Sequence, residues 1–110
     1  MKQYVIDQLH GDEIDKIRKY LHSRLALSGV DGLFWLPVED TVLSSLQQAH
    51  EPCKPHCVAI ELEDGRLVCE LLVRSRQQMR CDCMSYASVA QRNWLIDMVD
   101  AMLQELDIRI

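Results

Sequence analysis

Residues 58–73 constrain the fold of this chain more than any other stretch. Val58, Ile60 and Leu62 alternate with Ala59, Glu61 and Glu63; Asp64-Gly65 follows; Leu67, Cys69, Leu71 and Val73 alternate on the return. A period of two sends successive side chains to opposite faces of a sheet, and Asp-Gly supplies the positive φ that a type I′ turn requires. Pairing Glu63 with Arg66 then sets every inward residue opposite another. The segment reads as an antiparallel hairpin with one apolar face that a second layer must cover. Met79, Cys81 and Cys83 alternate with Arg80 and Asp82, so a third strand is expected to extend the hairpin into a β-meander over 57–84.

The covering layer is legible as three helices. Asp12 reads as an N-cap, with Glu13 and Asp15 favoured by the positive end of the helix dipole, and Ile14, Ile17, Leu21 and Leu25 recur at helical spacing over 12–27. Glu39-Asp40 open a second helix with Val42, Leu43, Leu46 and Ala49 inward, ending near His50 before Pro52. Ser88 and Gln91 form a capping box for a third helix, whose stripe is Leu95, Val99, Met102 and Leu106. Gln3–Leu9 and Leu33–Leu36 are rich in β-formers and read as strands, and Asp107–Ile110 as an edge strand or a docked tail. The expected fold is α+β: a two-layer sandwich, its mostly antiparallel sheet packed on three helices, in a single domain over 1–110.

Composition narrows the function classes. A net charge of −5 and only six aromatic residues argue against a nucleic-acid surface. The longest apolar run, Leu33–Val38, is far below the roughly 18 residues of a membrane helix. The first thirty residues hold Asp7, Asp12, Glu13 and Asp15 without an apolar core, unlike a signal peptide. Five cysteines cannot all pair within one chain, which fits a reducing compartment, so a cytoplasmic location is expected.

One cluster carries candidate chemistry. His50-Glu51-Pro52-Cys53-Lys54-Pro55-His56-Cys57 places two cysteines and two histidines within eight residues. Zn²⁺ prefers thiolate and imidazole in a tetrahedral array, and ligands from one short loop need little extra loop closure. The expected ligands are His50, Cys53, His56 and Cys57. Cys81-Asp82-Cys83 offers a second pair of sulfurs, but the meander sets it two strands from Cys57, about 9.6 Å at ~4.8 Å per strand. Alternation also sends Cys57 to the face opposite Cys81 and Cys83. On that reading Cys69, Cys81 and Cys83 are small buried hydrophobes.

The same loop has a redox version, in which Lys54 and His56 lower the pKa of Cys53 or Cys57. Three residues separate these cysteines, however, and no helix N-terminus follows to stabilise a thiolate. No G-x-S-x-G, phosphate loop or H-E-x-x-H is present, and the chain has four glycines, so a non-catalytic role is favoured.

Charge is uneven along the chain. Arg66, Arg74, Arg76, Arg80 and Arg92 face only Glu70 and Asp82 within residues 66–92. Val68 and Leu72 on the outward hairpin face, rimmed by Arg74 and Arg80, then read as a patch for a protein partner or a homodimer. The reading that follows is a small non-catalytic interaction or adaptor domain using that sheet face. The alternative is a zinc-binding module in the His50–Cys57 loop, and a thiol redox protein comes third.

Overall fold

The computed structural model describes residues 1–78 and 80–110, without the side chain of Leu27. Strand β1 (Gln3–Ile6) leads into helix α1 (Gly11–Arg24), and β2 (Ala26–Leu27) and β3 (Leu33–Pro37) follow. A 3₁₀ turn (Asp40–Val42), the short helix α2 (Ser45–Ala49) and a second 3₁₀ turn (Glu51–Cys53) come next. Strands β4 (His56–Glu63), β5 (Arg66–Glu70), β6 (Leu72–Ser75) and β7 (Ser85–Tyr86) precede the long helix α3 (Val89–Glu105). The sheet runs β1-β5-β4-β3-β2 with antiparallel neighbours throughout, and β6 pairs with both β4 and β7. This is an α+β fold on an antiparallel sheet, as expected from the patterning.

The hairpin forms in the expected register, with Glu63 opposite Arg66 and Leu62 opposite Leu67. Val58, Ile60, Leu62, Leu67 and Cys69 share one face with Phe34 and Leu36 of β3, and all are buried. Ile14, Ile17 and Leu21 of α1 close on that face beside Leu95, Val99, Met102 and Leu103 of α3, in one cluster reaching from Ile6 to Ile108. At about 1.5–3 kcal/mol per fully buried large aliphatic side chain, this face is the main source of stability.

Gly32 fixes how β3 meets β4. Its φ is +79°, a region costly for any side chain, and its carbonyl accepts the Leu62 N–H at 2.8 Å. A Cβ added there would stand 2.9 Å from the Leu62 carbonyl oxygen, which the hairpin cannot move. Gly32→Ala is therefore expected to lose about 1–3 kcal/mol, from left-handed strain plus the backbone clash. Urea denaturation measures it; a change within about 0.3 kcal/mol would show that the turn rearranges freely.

Three expectations need correction. Helix α1 starts earlier than Asp12 implies: His10 takes the cap position, and its N–H donates to the Glu13 carboxylate at 2.8 Å. The second helix is not continuous from Glu39. Ser44 caps α2 afresh, its hydroxyl accepting the Gln47 N–H at 3.1 Å, which leaves Leu43 extended and Leu46 exposed. The tail needs no correction, for it takes the docked alternative: Ile108 is buried and no edge strand forms.

The third correction decides where the cysteines go. No strand runs through Cys81 and Cys83 (Met79 lies outside the described residues); the pair sits in a turn closed by the Met84 N–H on the Cys81 carbonyl at 3.1 Å. Continuing the β4–β5 register would set Cys57 opposite Leu72, yet Cys57 pairs with Arg74 and His56 with Ser75. Two extra residues are taken up around Leu71, a bulge that keeps β6 on β4. The chain after Ser75 therefore leaves from beside the start of β4, and among the described residues no strand intervenes between it and the His50–Cys53 segment.

Candidate metal centre

Each wall of the site is built by a local rule. The 3₁₀ turn Glu51–Cys53 carries Pro52 as its second residue, tolerated because the early N–H groups of a turn lack intrahelical partners, and the Cys53 N–H donates to the His50 carbonyl at 3.0 Å. His50 and Cys53 are thereby presented from one turn. Cys81 and Cys83 come from the opposite wall, two apart, with the Cys83 N–H directed at the Cys81 sulfur at 3.4 Å.

These four side chains converge. His50 Nδ1 lies 3.1 Å from Cys81 Sγ, Cys53 Sγ 3.2 Å from it and Cys83 Sγ 2.9 Å from it. All four candidate ligand atoms fall within 4.8 Å of one another. A tetrahedral ion with Zn–S bonds of about 2.3 Å has S···S edges of about 3.8 Å, inside the observed span, so small side-chain rotations suffice to seat one. One imidazole and three sulfurs form a donor set that zinc favours over the hard-oxygen cations.

Two hydrogen-bonded ties hold the walls. Ser75 Oγ donates to the Cys53 carbonyl while accepting the Gln77 and Gln78 N–H groups at 3.2 and 3.0 Å, so β6 anchors the first wall and starts the bend that follows. The second tie is a buried glutamine pair. Gln47 Nε2 donates to the Cys83 carbonyl at 3.1 Å, and Gln91 Nε2 donates to Gln47 Oε1 at 2.9 Å. Each glutamine also closes a capping box, accepting the Ser44 or Ser88 N–H at 3.0 Å. The starts of α2 and α3 are thus wired to each other and to the cysteine turn.

The thiols do not titrate alike. Hydrogen bonds from the Cys83 side chain, its backbone N–H and Cys53 hold the Cys81 thiol down at about 6. Burial, then donation to Cys81, pushes Cys83 up to about 12, and donation to Cys81 raises Cys53. Near neutral pH the three metal-free thiols therefore carry one negative charge, centred on Cys81 and held by two neighbouring S–H donors.

The expected site residues divide. His50 and Cys53 join the cluster; Cys57 does not. Its side chain points to the other face of β4, buried, with the Pro55 carbonyl at 3.9 Å. The redox reading loses its geometry for the same reason, since the sulfur near Cys53 is Cys81 and not Cys57. His56 lies against the cluster from outside, Nε2 3.4 Å from Cys83 Sγ. Burial, with Lys54 and His50 nearby, lowers its pKa, so it is neutral at physiological pH. Cys69 does behave as a core hydrophobe, its thiol pushed up to about 12 by burial.

Cys81 and Cys83 were set apart by the expected strand, and that separation fails. One sign of it is legible: the Arg80–Met84 stretch alternates without the β-branched or aromatic residues that mark a strand.

The expected partner patch is also altered. Val68 keeps 1 % of its surface exposed, between Val5 and Glu61 in the neighbouring strands, so it offers nothing to a partner. Leu72 is half-buried, opposite Tyr86 on β7. Arg74 is held by Glu70 at 2.9 Å, and Arg80 lies exposed beyond the end of β6. Among the described residues, no helix is long and apolar enough to cross a membrane.

The class this structure defines is an α+β domain with a candidate Cys₃His centre at one end of its sheet. No family model matches the chain, and no curated protein or solved structure gives a significant match.

Proposed function

We propose that this chain is a small non-catalytic zinc-binding module whose ion joins the turn after α2 to the turn before β7, held by His50, Cys53, Cys81 and Cys83. The observation that supports the reading is the convergence of one imidazole and three sulfurs, from segments nearly thirty residues apart in sequence, within 4.8 Å. Four protein ligands fill a tetrahedral shell, and a catalytic zinc needs a position left for water or substrate. The ion's task is accordingly mechanical. The described residues between Arg76 and Met84 contain no helix or strand, and a metal tie supplies the order that a packed core supplies elsewhere.

Native mass spectrometry of protein purified reduced and without chelator tests the reading. One zinc per chain is expected for the unaltered protein and for Cys57→Ser, and none for Cys81→Ser. A metal-free spectrum of protein that still gains no mass when supplied with Zn²⁺ would overturn it. Retention by Cys81→Ser with loss by Cys57→Ser would move the site back to the His50–Cys57 loop.

A further inference from the structure

His56 is the buried polar side chain that the four-ligand centre leaves unexplained. It begins β4, is 1 % exposed, and faces the same side of the sheet as Val58 and Ile60. Its Nδ1 is buried with no hydrogen-bond partner among the described residues. A buried ring nitrogen left unpaired costs free energy, so the position calls for a reason beyond packing. The other nitrogen supplies it, because Nε2 points at the Cys83 sulfur from 3.4 Å.

Which nitrogen carries the proton follows from the surroundings. With the proton on Nδ1, a buried N–H is orphaned and a bare Nε2 lone pair faces sulfur. With the proton on Nε2, the orphan is only a lone pair, the lesser penalty, and an N–H meets the sulfur. A metal-bound Cys83 has lost its proton and can only accept, so the second tautomer alone fits the loaded centre. Zn²⁺ with three thiolates and a neutral imidazole retains one net negative charge, and Cys83 is its most buried sulfur. The Cys83 carbonyl already has Gln47 as donor, and Cys81 Sγ has the Cys83 N–H.

From this geometry, and resting on the zinc reading above, we infer that His56 is a positioning residue of the metal centre: its Nε2–H donates to the Cys83 thiolate, orienting the sulfur and spreading its charge. The role involves no change in protonation. His56 is not a fifth ligand, since the mutually close set is His50, Cys53, Cys81 and Cys83. Outer hydrogen-bond partners of this kind are worth roughly 10–100-fold in metal affinity.

Co²⁺ titration of the reduced full chain tests the inference, with the thiolate-to-metal charge-transfer band as a second readout. The unaltered protein should bind one Co²⁺ in a tetrahedral, three-sulfur spectrum. His56→Leu should keep that spectrum type, bind about 10–100-fold more weakly and shift the charge-transfer band to lower energy, because a sulfur without its donor holds its electrons less tightly. His56→Gln, whose amide N–H can occupy the Nε2 position, should recover most of the affinity and the band position. If His56→Leu does not fold, His56→Asn, whose amide stops short of the sulfur, takes its place against His56→Gln.

Equal affinity and an unmoved band in the donor-free variant would overturn the inference while leaving the centre intact. Failure of His56→Gln alongside normal binding by His50→Ala would make His56 the ligand itself, which also overturns it. If the unaltered protein binds no Co²⁺, the zinc reading fails and this inference fails with it.

Discussion

On the proposed zinc reading, chelation is expected to lower the stability of this protein by about 4 kcal/mol wherever free zinc had stood a thousandfold above its dissociation constant. For a domain of this size that is a fall in melting temperature of roughly 15 °C or more. The loss should be local at first. The cluster formed by α1, α3 and the sheet contains none of His50, Cys53, Cys81 and Cys83, so its packing does not depend on the ion. Amide exchange should therefore accelerate in Glu51–Cys53 and Cys81–Met84 while β4 and β5 keep their protection.

Acid should have the same effect as chelator, with a defined slope. Zinc binds thiolates, so each thiol still protonated in the metal-free protein must release a proton on binding. Cys53 and Cys83 are raised and protonated near neutrality, whereas Cys81 is already ionised above about 6. Counting thiols alone, the logarithm of the binding constant should rise by about two per pH unit just above pH 6, and by about three per unit below it. The sign is fixed: protons compete with the ion, so zinc-derived stability shrinks as pH falls. Thermal melts from pH 5 to 8 with and without chelator measure both effects. Identical melting curves with and without chelator at pH 8 would rule out a structural ion.

Replacing Gln47 by Leu should cost about 3–5 kcal/mol, a loss well above that of an ordinary surface substitution. Gln47 is 1 % exposed and satisfies three groups: the Ser44 N–H, the Gln91 side-chain amide and the Cys83 carbonyl. Leu fills a similar volume but strands all three, and a buried polar group without a partner costs about 1–3 kcal/mol. Gln91→Leu should also be destabilising, since it strands Gln47. The double substitution Gln47→Leu with Gln91→Leu should cost clearly less than the sum of the two, because neither amide is then left facing an apolar partner. Urea denaturation of the four proteins closes the cycle, and strict additivity would show that the pair is not a unit. Gln47→Leu should also weaken zinc binding, since the Cys83 turn loses its anchor to α2.

Much of the fold was legible wherever the determining signal is local. The period-two alternation about Asp64-Gly65 specified the hairpin register from Ile60–Cys69 to Glu63–Arg66, because each side chain's face is set by backbone geometry within the strand. Ser88-x-x-Gln91 marked the start of α3 for the same reason, since the cap bonds span three residues. Ser44-x-x-Gln47 carries the same pattern and was hidden by the apolar spacing around it, which implied one longer helix. The His50–Cys57 loop was recognisable by composition, and two of its four candidate ligands, His50 and Cys53, belong to the observed cluster.

What the residues determined unaided was thus the antiparallel hairpin, three helical segments with most of their inward faces, and the concentration of metal-ligating side chains in one loop. Tertiary structure alone decided which sulfurs complete the centre. That outcome turns on two residues taken up in a bulge near Leu71, which keep Leu72–Ser75 paired with β4 and bring residues 81–84 beside Cys53. Pattern along a single strand carries no information about that offset, because a slip of two residues leaves every side chain on the face it already occupied. The choice was made by contacts distant in sequence: Ser75 on the Cys53 carbonyl, and Gln91 through Gln47 on the Cys83 carbonyl. These bonds exist only once helix, sheet and loop have already met.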